Sequence, residues 1–535
     1  MTAPPPLYRS ASRAFLAACL LWAAAAPASA RVLVIGIDGA SWPVLDAMIA
    51  GGALPHLAAL IERGGSADLE TVEPVSSPVV WTSVATGRTP EDHGVTDFFS
   101  TRAQIKVPTV YERLAASGHR VGLYDVLMSW PPASLPNGFV VPGWLRRDDT
   151  TWPTDALDGY DSPLFRTVYQ EMPSNRAYLE QAQREVAEKA RSWGALAERY
   201  DPEVGAVTFY GVDAASHRYW HASFPEDFEE PTPAVAEVER DAVRRTLAGV
   251  DRAVGELVAG LAPEDSVIVV SDHGFQAREG TEDIWMTQIE PVLDRAGFDL
   301  AEEGVSVVGT FFAVSLRIAP GPFAVRDATV EKLIALLDSF ETLEGDALFY
   351  TSALDVAPRP ASMARPFLER VGQWFLKRVM DWGFDTKVDP TAQALVFGLP
   401  RGDRIAPLWP DSEIRVAGEV VPISHVIYRQ RFTGTHHPTA VFIAAGGPIA
   451  RRAERGRLSV LDVAPLVSYL AGSPIPDDFE HDLPVDWIEP ARLAAMPSRV
   501  VPGSSLPGLG EDPERMSDVR DPALVEKLRT LGYIE

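Results

Sequence analysis

Residues 32–39 read Val-Leu-Val-Ile-Gly-Ile-Asp-Gly, an apolar run that breaks off in a carboxylate and a glycine. The run is rich in β-branched residues and has no polar alternation. That pattern marks a strand covered on both faces, as inside a parallel sheet. Three more runs share it: 204–212 (VGAVTFYGV), 266–270 (SVIVV) and 440–445 (AVFIAA). Helical periodicity lies between them, over 178–199 and 234–261. Strand and helix in alternation predict an α/β fold with a mostly parallel central sheet and helices on both faces.

The ends of these runs carry polar groups. The first stops at Asp38-Gly39, the second at Asp213 with His217 four residues on, and the third at Ser271-Asp272-His273-Gly274. Ligands of open α/β sheets bind at the carboxyl ends of strands. Three strands therefore aim acids and imidazoles at one edge. Asp213 and His217 stand at i, i+4, so one helical turn can face both toward the same ion. Thr435-His436-His437, just before the fourth run, offers a further imidazole. Oxygen and nitrogen ligands without thiolate suit zinc or manganese. Two such ions about 4 Å apart can clamp both oxygens of a displacement at phosphorus.

Ser76-Ser77-Pro78 opens a short segment, VVWTSVATG, that ends at Gly87. Pro78 suits the first helical position and Gly87 the C-terminal cap. Ser77 is then expected at the N-cap, beside free backbone N–H groups and the positive end of the helix dipole. That setting favours an anion or an alkoxide.

The totals limit the remaining possibilities. The chain has 535 residues, 46% hydrophobic and 23% charged, enough for one large α/β domain with insertions. The formal charge is −26, so no basic footprint for a nucleic acid is visible. Residues 1–30 have the layout of a secretory signal: Arg9 and Arg13, an apolar run over 14–26, and Ala28-Ser29-Ala30 as a cleavage site. Thirteen apolar residues are short for a bilayer span. The mature chain is expected to be periplasmic or secreted, without a stable membrane span. Cys19 is the only cysteine, so cleavage after Ala30 leaves none for disulfides or thiolate sites.

The organisation expected is therefore a signal peptide at 1–30, a first part of the catalytic core at 31–279, an insertion or cap at 280–430, the last part of the core at 431–489, and a tail at 490–535. The insertion mixes glycine, proline and aromatics and includes a basic, aromatic-rich helix over 367–382. The tail is expected to run extended to about 521, with a short helix at 524–531.

These motifs resemble the alkaline phosphatase superfamily, and most closely its type I phosphodiesterase / nucleotide pyrophosphatase branch. VLVIGIDG resembles that branch's first metal strand, and SSPVVWTSVATGRTPEDHGV its nucleophile segment. GVDAASH, SDHG and TGTHHPTAVFIAAG resemble its later ligand elements. The resemblance implies an alkaline-phosphatase-like three-layer sandwich. It places the nucleophile on Ser77, with Ser76 the alternative. It assigns one zinc to Asp38, Ser77, Asp272 and His273, and the other to Asp213, His217 and His436, with His437 the alternative to His436.

The implied activity is hydrolysis of phosphodiester or pyrophosphate bonds in a small phosphorylated substrate, through a phosphoseryl intermediate. One departure bears on the substrate. Val80 stands where nucleotide pyrophosphatases commonly carry an Asn that donates to the phosphoryl oxygen. Other readings are a phosphomonoesterase, or a sulfatase, for which Ser76 and Pro78 fit but Val80 replaces the required Arg. A non-enzymatic protein on a decayed fold is opposed by the complete ligand set, since clustered carboxylates and imidazoles are costly to hold without a cation.

Overall fold

The computed structural model describes residues 31–506 apart from 97, 99, 147–148, 159–174, 230–236, 279–282, 288, 300–301, 310–313, 320–322, 356–393 and 432. The signal segment expected at 1–30 and the helices expected at 367–382 and 524–531 lie outside the described residues.

The first strands are β1 (Val32–Ile37), β2 (Gly65–Glu70), β3 (Val121–Val126), β4 (Phe139–Pro142), β5 (Val204–Phe209), β6 (Ser266–Val270) and β7 (Gly274–Ala277). β8 (Asp283–Thr287), β9 (Val305–Gly309), β10 (Val314–Ile318), β11 (Phe349–Asp355) and β12 (Ala394–Pro400) follow. The remaining ones used below are β13 (Glu413–Val416), β14 (Glu419–Pro422), β15 (Ile427–Arg431), β16 (Gly434–His437), β17 (Thr439–Gly446) and β18 (Gly456–Ser459). Eight form one sheet in the order β18-β2-β17-β6-β1-β5-β3-β4. β1 pairs in parallel with both β5 and β6, so the three strands that end in acids are neighbours. All their residues are buried, which is why they show no alternation. Only β17 runs against the rest. Its start therefore lies at the edge where the parallel strands end, and the histidines just before it arrive there.

Two sets of helices cover the sheet. One comprises α1 (Pro55–Arg63), α2 (Asn175–Tyr200), α3 (Gly211–Ser223) and α4 (Ala242–Val258), which pack on one another. The other comprises the helix Ser77–Thr86, the helix Val110–Ala116 and the helix Val463–Leu470. The start of α1 has no capping side chain of its own. Asp251 of α4 supplies the missing acceptor, taking the N–H groups of His56 (3.3 Å) and Leu57 (2.8 Å). The helix expected over 234–261 is divided, with a short piece at Glu237–Arg240 before α4. Among the described residues no single helix is long and apolar enough to cross a membrane.

A second hydrophobic cluster, from Trp285 to Ile427, is separate from the core around the large sheet. It is built on the sheet β11-β12-β10-β9 and the hairpin β13-β14. The chain enters this region along β8 and leaves along β15, and the two pair antiparallel, so the entry and exit points sit side by side. Within 490–506 the tail is not simply extended. It forms a helix at Pro490–Ala495 and a two-residue strand, Val500–Val501, that pairs with Ile475–Pro476.

His93 follows the helix Ser77–Thr86 and is fully buried. Its Nδ1 accepts the N–H of Val95 at 3.1 Å, and its Nε2 lies 3.0 Å from Ser83 Oγ. Burial pushes the imidazole down to about 4 from an ordinary 6.5. The unfolded chain thus takes up a proton near pH 6.5 and the folded one only near 4. Stability from this group is fully present above pH 6.5 and drains away as pH falls through that window, by roughly 3 kcal/mol at most. Replacing His93 with Gln should lower the melting temperature at pH 8 and flatten its decline between pH 6.5 and 4, as followed by circular dichroism.

Candidate active site

The edge where β1, β5 and β6 end is occupied by six ligand-type side chains in two groups. Asp213, His217 and His436 form one, and Asp38, Asp272 and His273 the other, with ligand atoms inside each group within 4.8 Å of one another. Local chemistry explains each placement. Asp38 follows β1 and is succeeded by Gly39 at φ 71°, a left-handed turn in which a side chain would strike the Asp213 Cα at 2.9 Å. Asp213 lies on the first turn of α3, and His217 is one turn further on. Asp272 and His273 lie between β6 and β7. β7 then pairs with β16 in a register that sets His436 opposite Phe275. That short ribbon returns the distant His436 to the site.

The loops after β1 and β6 are tied together. Gly39 N–H donates to Asp272 Oδ1 at 3.4 Å, and Ala40 N–H donates to Ser271 Oγ at 3.1 Å. Ser271 Oγ–H in turn donates to the His273 carbonyl. On the other side Trp81 Nε1–H donates to Asp38 Oδ2 at 2.9 Å, which leaves Oδ1 facing inward. Trp81 lies directly over Gly36 of β1, where a Cβ would come within 2.7 Å of the indole. Sequence reasoning missed Trp81 and Ser271. The one sign of Trp81 was its place four residues after Ser77 on a helix, with a small residue in the strand beneath.

The three imidazoles are oriented alike. Nδ1 of His217 faces the Gly434 carbonyl (3.2 Å), that of His273 the Gly274 carbonyl (3.1 Å), and that of His436 the Val75 carbonyl (2.9 Å). A carbonyl only accepts, so each Nδ1 carries the proton and each Nε2 turns a lone pair into the site. His217 and His436 bring their Nε2 atoms to 3.1 Å. Two lone pairs at that distance repel unless a cation or a shared proton lies between them. Asp213 Oδ1 is 3.5 Å from each of those nitrogens, so the three atoms form a nearly equilateral triangle. Ligand atoms about 2.0–2.1 Å from a tetrahedral zinc stand about 3.3–3.4 Å apart. In the second group His273 Nε2 lies 3.4 Å from Asp272 Oδ2 and 3.6 Å from Asp38 Oδ1. Both carboxylate oxygens are buried and accept no hydrogen bond among the described residues. The donor set and its spacing thus fit two divalent cations.

Charge at the edge is correspondingly strained. Burial, with Asp272 and Asp213 nearby, pushes the Asp38 carboxyl well above its ordinary value. Burial and the Asp213 carboxylate push Asp272 up to about 7. Burial also opposes ionisation of Asp213, but His217 and His436 outweigh it and draw the group down to about 2. Burial lowers His217 to about 4, and burial with His436 alongside lowers His273 well below its ordinary value. Burial acts the same way on His436, but the Asp213 carboxylate prevails and raises it.

Ser77 is fully buried, and its Oγ lies 3.4 Å from His273 Nε2, at the spacing of the other donors around that nitrogen. The expected helix position is corrected by one. Ser76 is the N-cap, with extended backbone (φ −141°, ψ 129°) and a carbonyl that accepts the Val80 N–H at 2.9 Å. Ser77 is the first helical residue and Pro78 the second. Ser77 is helical although it directly precedes Pro78, a position that ordinarily prefers extended backbone. The correction leaves Ser77 inside the site and Ser76 at its partly buried margin. Gly87 closes the helix at φ 63°, with its N–H on the Ser83 carbonyl. His437 turns away from the cluster, and its Nδ1 accepts the N–H of Thr439 at 3.1 Å.

Residues 32–359 match the type I phosphodiesterase / nucleotide pyrophosphatase family. The chain belongs to that family. It is therefore a phosphoester hydrolase by family. No curated protein matches it. Among solved structures it is similar to phosphonoacetate hydrolase from Sinorhizobium meliloti 1021 in complex with phosphonoacetate. The identity is 13%, covering 83% of this chain and 96% of that chain, with a TM-score of 0.38. It is also similar to murine ectonucleotide pyrophosphatase / phosphodiesterase 5, at 16% identity over 86% of this chain and 100% of that chain, with a TM-score of 0.37. An inactive form of the murine protein, solved with AMP, matches at 15% identity over the same shares, with a TM-score of 0.38.

Two outcomes are expected for the metal-free protein. Asp38, Asp272 and His436 all hold protons more tightly than usual, and a metal must displace them. Zinc affinity should therefore rise at least about tenfold between pH 5.5 and 8, by chelator competition, whereas a flat profile would contradict the assignment. Trp81→Phe keeps the ring and deletes the donor to Asp38. It should weaken metal binding about ten- to a hundredfold, as loss of a ligand's hydrogen-bonded support does, with little change in thermal stability of the metal-free protein.

Proposed function

We propose that this family member is an exported two-metal phosphodiesterase or pyrophosphatase that works through Ser77. The observation that carries the reading is the shared spacing around His273 Nε2. Ser77 Oγ, Asp38 Oδ1 and Asp272 Oδ2 lie 3.4, 3.6 and 3.4 Å from it, so the hydroxyl takes a place among ligand atoms. Asp38, Ser77, Asp272 and His273 would hold one cation, and Asp213, His217 and His436 the other. Zinc is the better fit and manganese the alternative. When bound, such ions supply Lewis-acid charge that eases loss of the serine proton and offsets the charge building on the phosphoryl and leaving oxygens.

The chain's own groups do the rest. Ser77 stands on the first turn of its helix, where the N–H groups of Ser77 and Val79 have no partner within the helix and Pro78 has none to offer. These donors and the helix dipole favour negative charge at the serine and on phosphoryl oxygens close to it. Val80, whose N–H is spent on Ser76, brings no side-chain donor. Ser77 Oγ, its proton released, attacks phosphorus and the alcohol or phosphate leaves from the opposite side. Water then cleaves the phosphoseryl ester, restoring the hydroxyl and releasing the phosphorylated product. Phosphodiesters and pyrophosphates are favoured over monoesters because the family model that the chain matches is that of type I phosphodiesterases and nucleotide pyrophosphatases.

Ser77→Ala should lower turnover of a chromogenic diester by at least about a thousandfold, as removal of a nucleophile does, with metal content near normal. Ser76→Ala should retain most activity. The reverse result would move the nucleophile by one residue. Acid quench during turnover should leave a phosphoryl group on the peptide containing Ser77. Export is tested separately: the intact mass of protein recovered from outside the cytoplasm should correspond to a chain beginning at Arg31.

A further inference from the structure

One strand over from the site, a second set of buried ionisable groups takes no part in the proposed chemistry. Lys189, in the middle of α2, is 1% exposed. Its Nζ lies 2.5 Å from Asp125 Oδ2 and 3.3 Å from Glu185 Oε1, and it donates to the Thr208 carbonyl at 3.0 Å. It also stands 4.9 Å from the centre of the Tyr210 ring. Tyr210 O–H donates to the Asp125 carbonyl at 2.6 Å. Asp125 itself is held at φ 54°, a left-handed conformation that non-glycine residues rarely adopt.

All these contacts converge on one turn. Thr208 is near the end of β5, and Tyr210 is the residue from which α3 starts. Asp213 and His217 follow on the first two turns of that helix. Tyr210 has no side chain suited to capping, and no side-chain cap bond is made there. The start of α3 is instead fixed from outside. The lysine grips the β5 carbonyl, and the phenol ties the turn to the end of β3. The other ligands take their side-chain bonds elsewhere, although the Asp38 N–H also donates to the Phe209 carbonyl of β5 at 2.9 Å. Asp38 is held by Trp81, and Asp272 by Gly39 and the Ser271 loop. A buried ammonium with two carboxylates is costly to assemble, and removing one member leaves the others uncompensated.

We propose that Lys189 is a positioning residue for one half of the metal cluster. By locking the β5–α3 turn it sets Asp213 and His217 at the spacing a cation needs, while the Asp38/Asp272/His273 half takes its side-chain support from Trp81, Gly39 and the Ser271 loop. The inference rests on the two-cation reading above.

The test is zinc titration of the purified, metal-stripped full-length chain, with bound equivalents read by elemental analysis and affinities by calorimetry. Wild-type protein should take up two equivalents. Lys189→Met should keep one tight equivalent and bind the second at least tenfold more weakly, and Lys189→Arg should recover part of the loss. Tyr210→Phe keeps the ring and deletes the bond to Asp125. It should weaken the same equivalent several-fold, and it decides the matter alone if Lys189→Met does not fold. Folded variants that bind both equivalents as wild type does would overturn the proposal, as would equal weakening of both. Wild-type protein that takes up fewer than two equivalents would overturn the two-cation reading itself, and this inference with it.

Discussion

The structure depends on a repulsion that only bound protons or cations can relieve. Three carboxylates and three imidazoles are packed at one sheet edge with their lone pairs turned inward. The Nε2 atoms of His217 and His436 face each other at 3.1 Å, and two buried carboxylate oxygens accept no hydrogen bond among the described residues. Each such group carries a desolvation cost of about 1–3 kcal/mol if left unmet. The large hydrophobic core around the sheet provides the rigidity that holds them together.

Much of this was legible in the sequence because the relevant signals are local. A strand buried on both faces writes itself as an unbroken β-branched run, and β1, β5 and β6 fall on such runs. The i, i+4 spacing of Asp213 and His217 is a helix property, and both lie on α3. What brings His436 to them was not local. It depends on the pairing of β7 with β16 and on the reversed direction of β17, and neither is encoded within a few residues of the histidine.

The residues that sequence reading missed share one feature: they act on a ligand rather than as one. Trp81 looked like part of an apolar helix until its indole N–H was seen on Asp38. Ser271 looked like a strand-end serine, yet it joins two ligand loops. Lys189 sits in a helix whose other charges are mostly unremarkable by pattern, and only the fold shows it buried against β5. The one-residue error at the start of the helix Ser77–Thr86 has a similar origin. Proline fits either of the first helical positions, and the choice is set by how Ser76 enters the turn.

The most direct measurement of the central claim is a crystal structure of the protein soaked in zinc, with anomalous data collected across the zinc edge. The account predicts two anomalous peaks about 4 Å apart, one between Asp213, His217 and His436 and one between Asp38, Asp272, His273 and the Ser77 hydroxyl. An empty cluster, or a single ion far from Ser77, would contradict it.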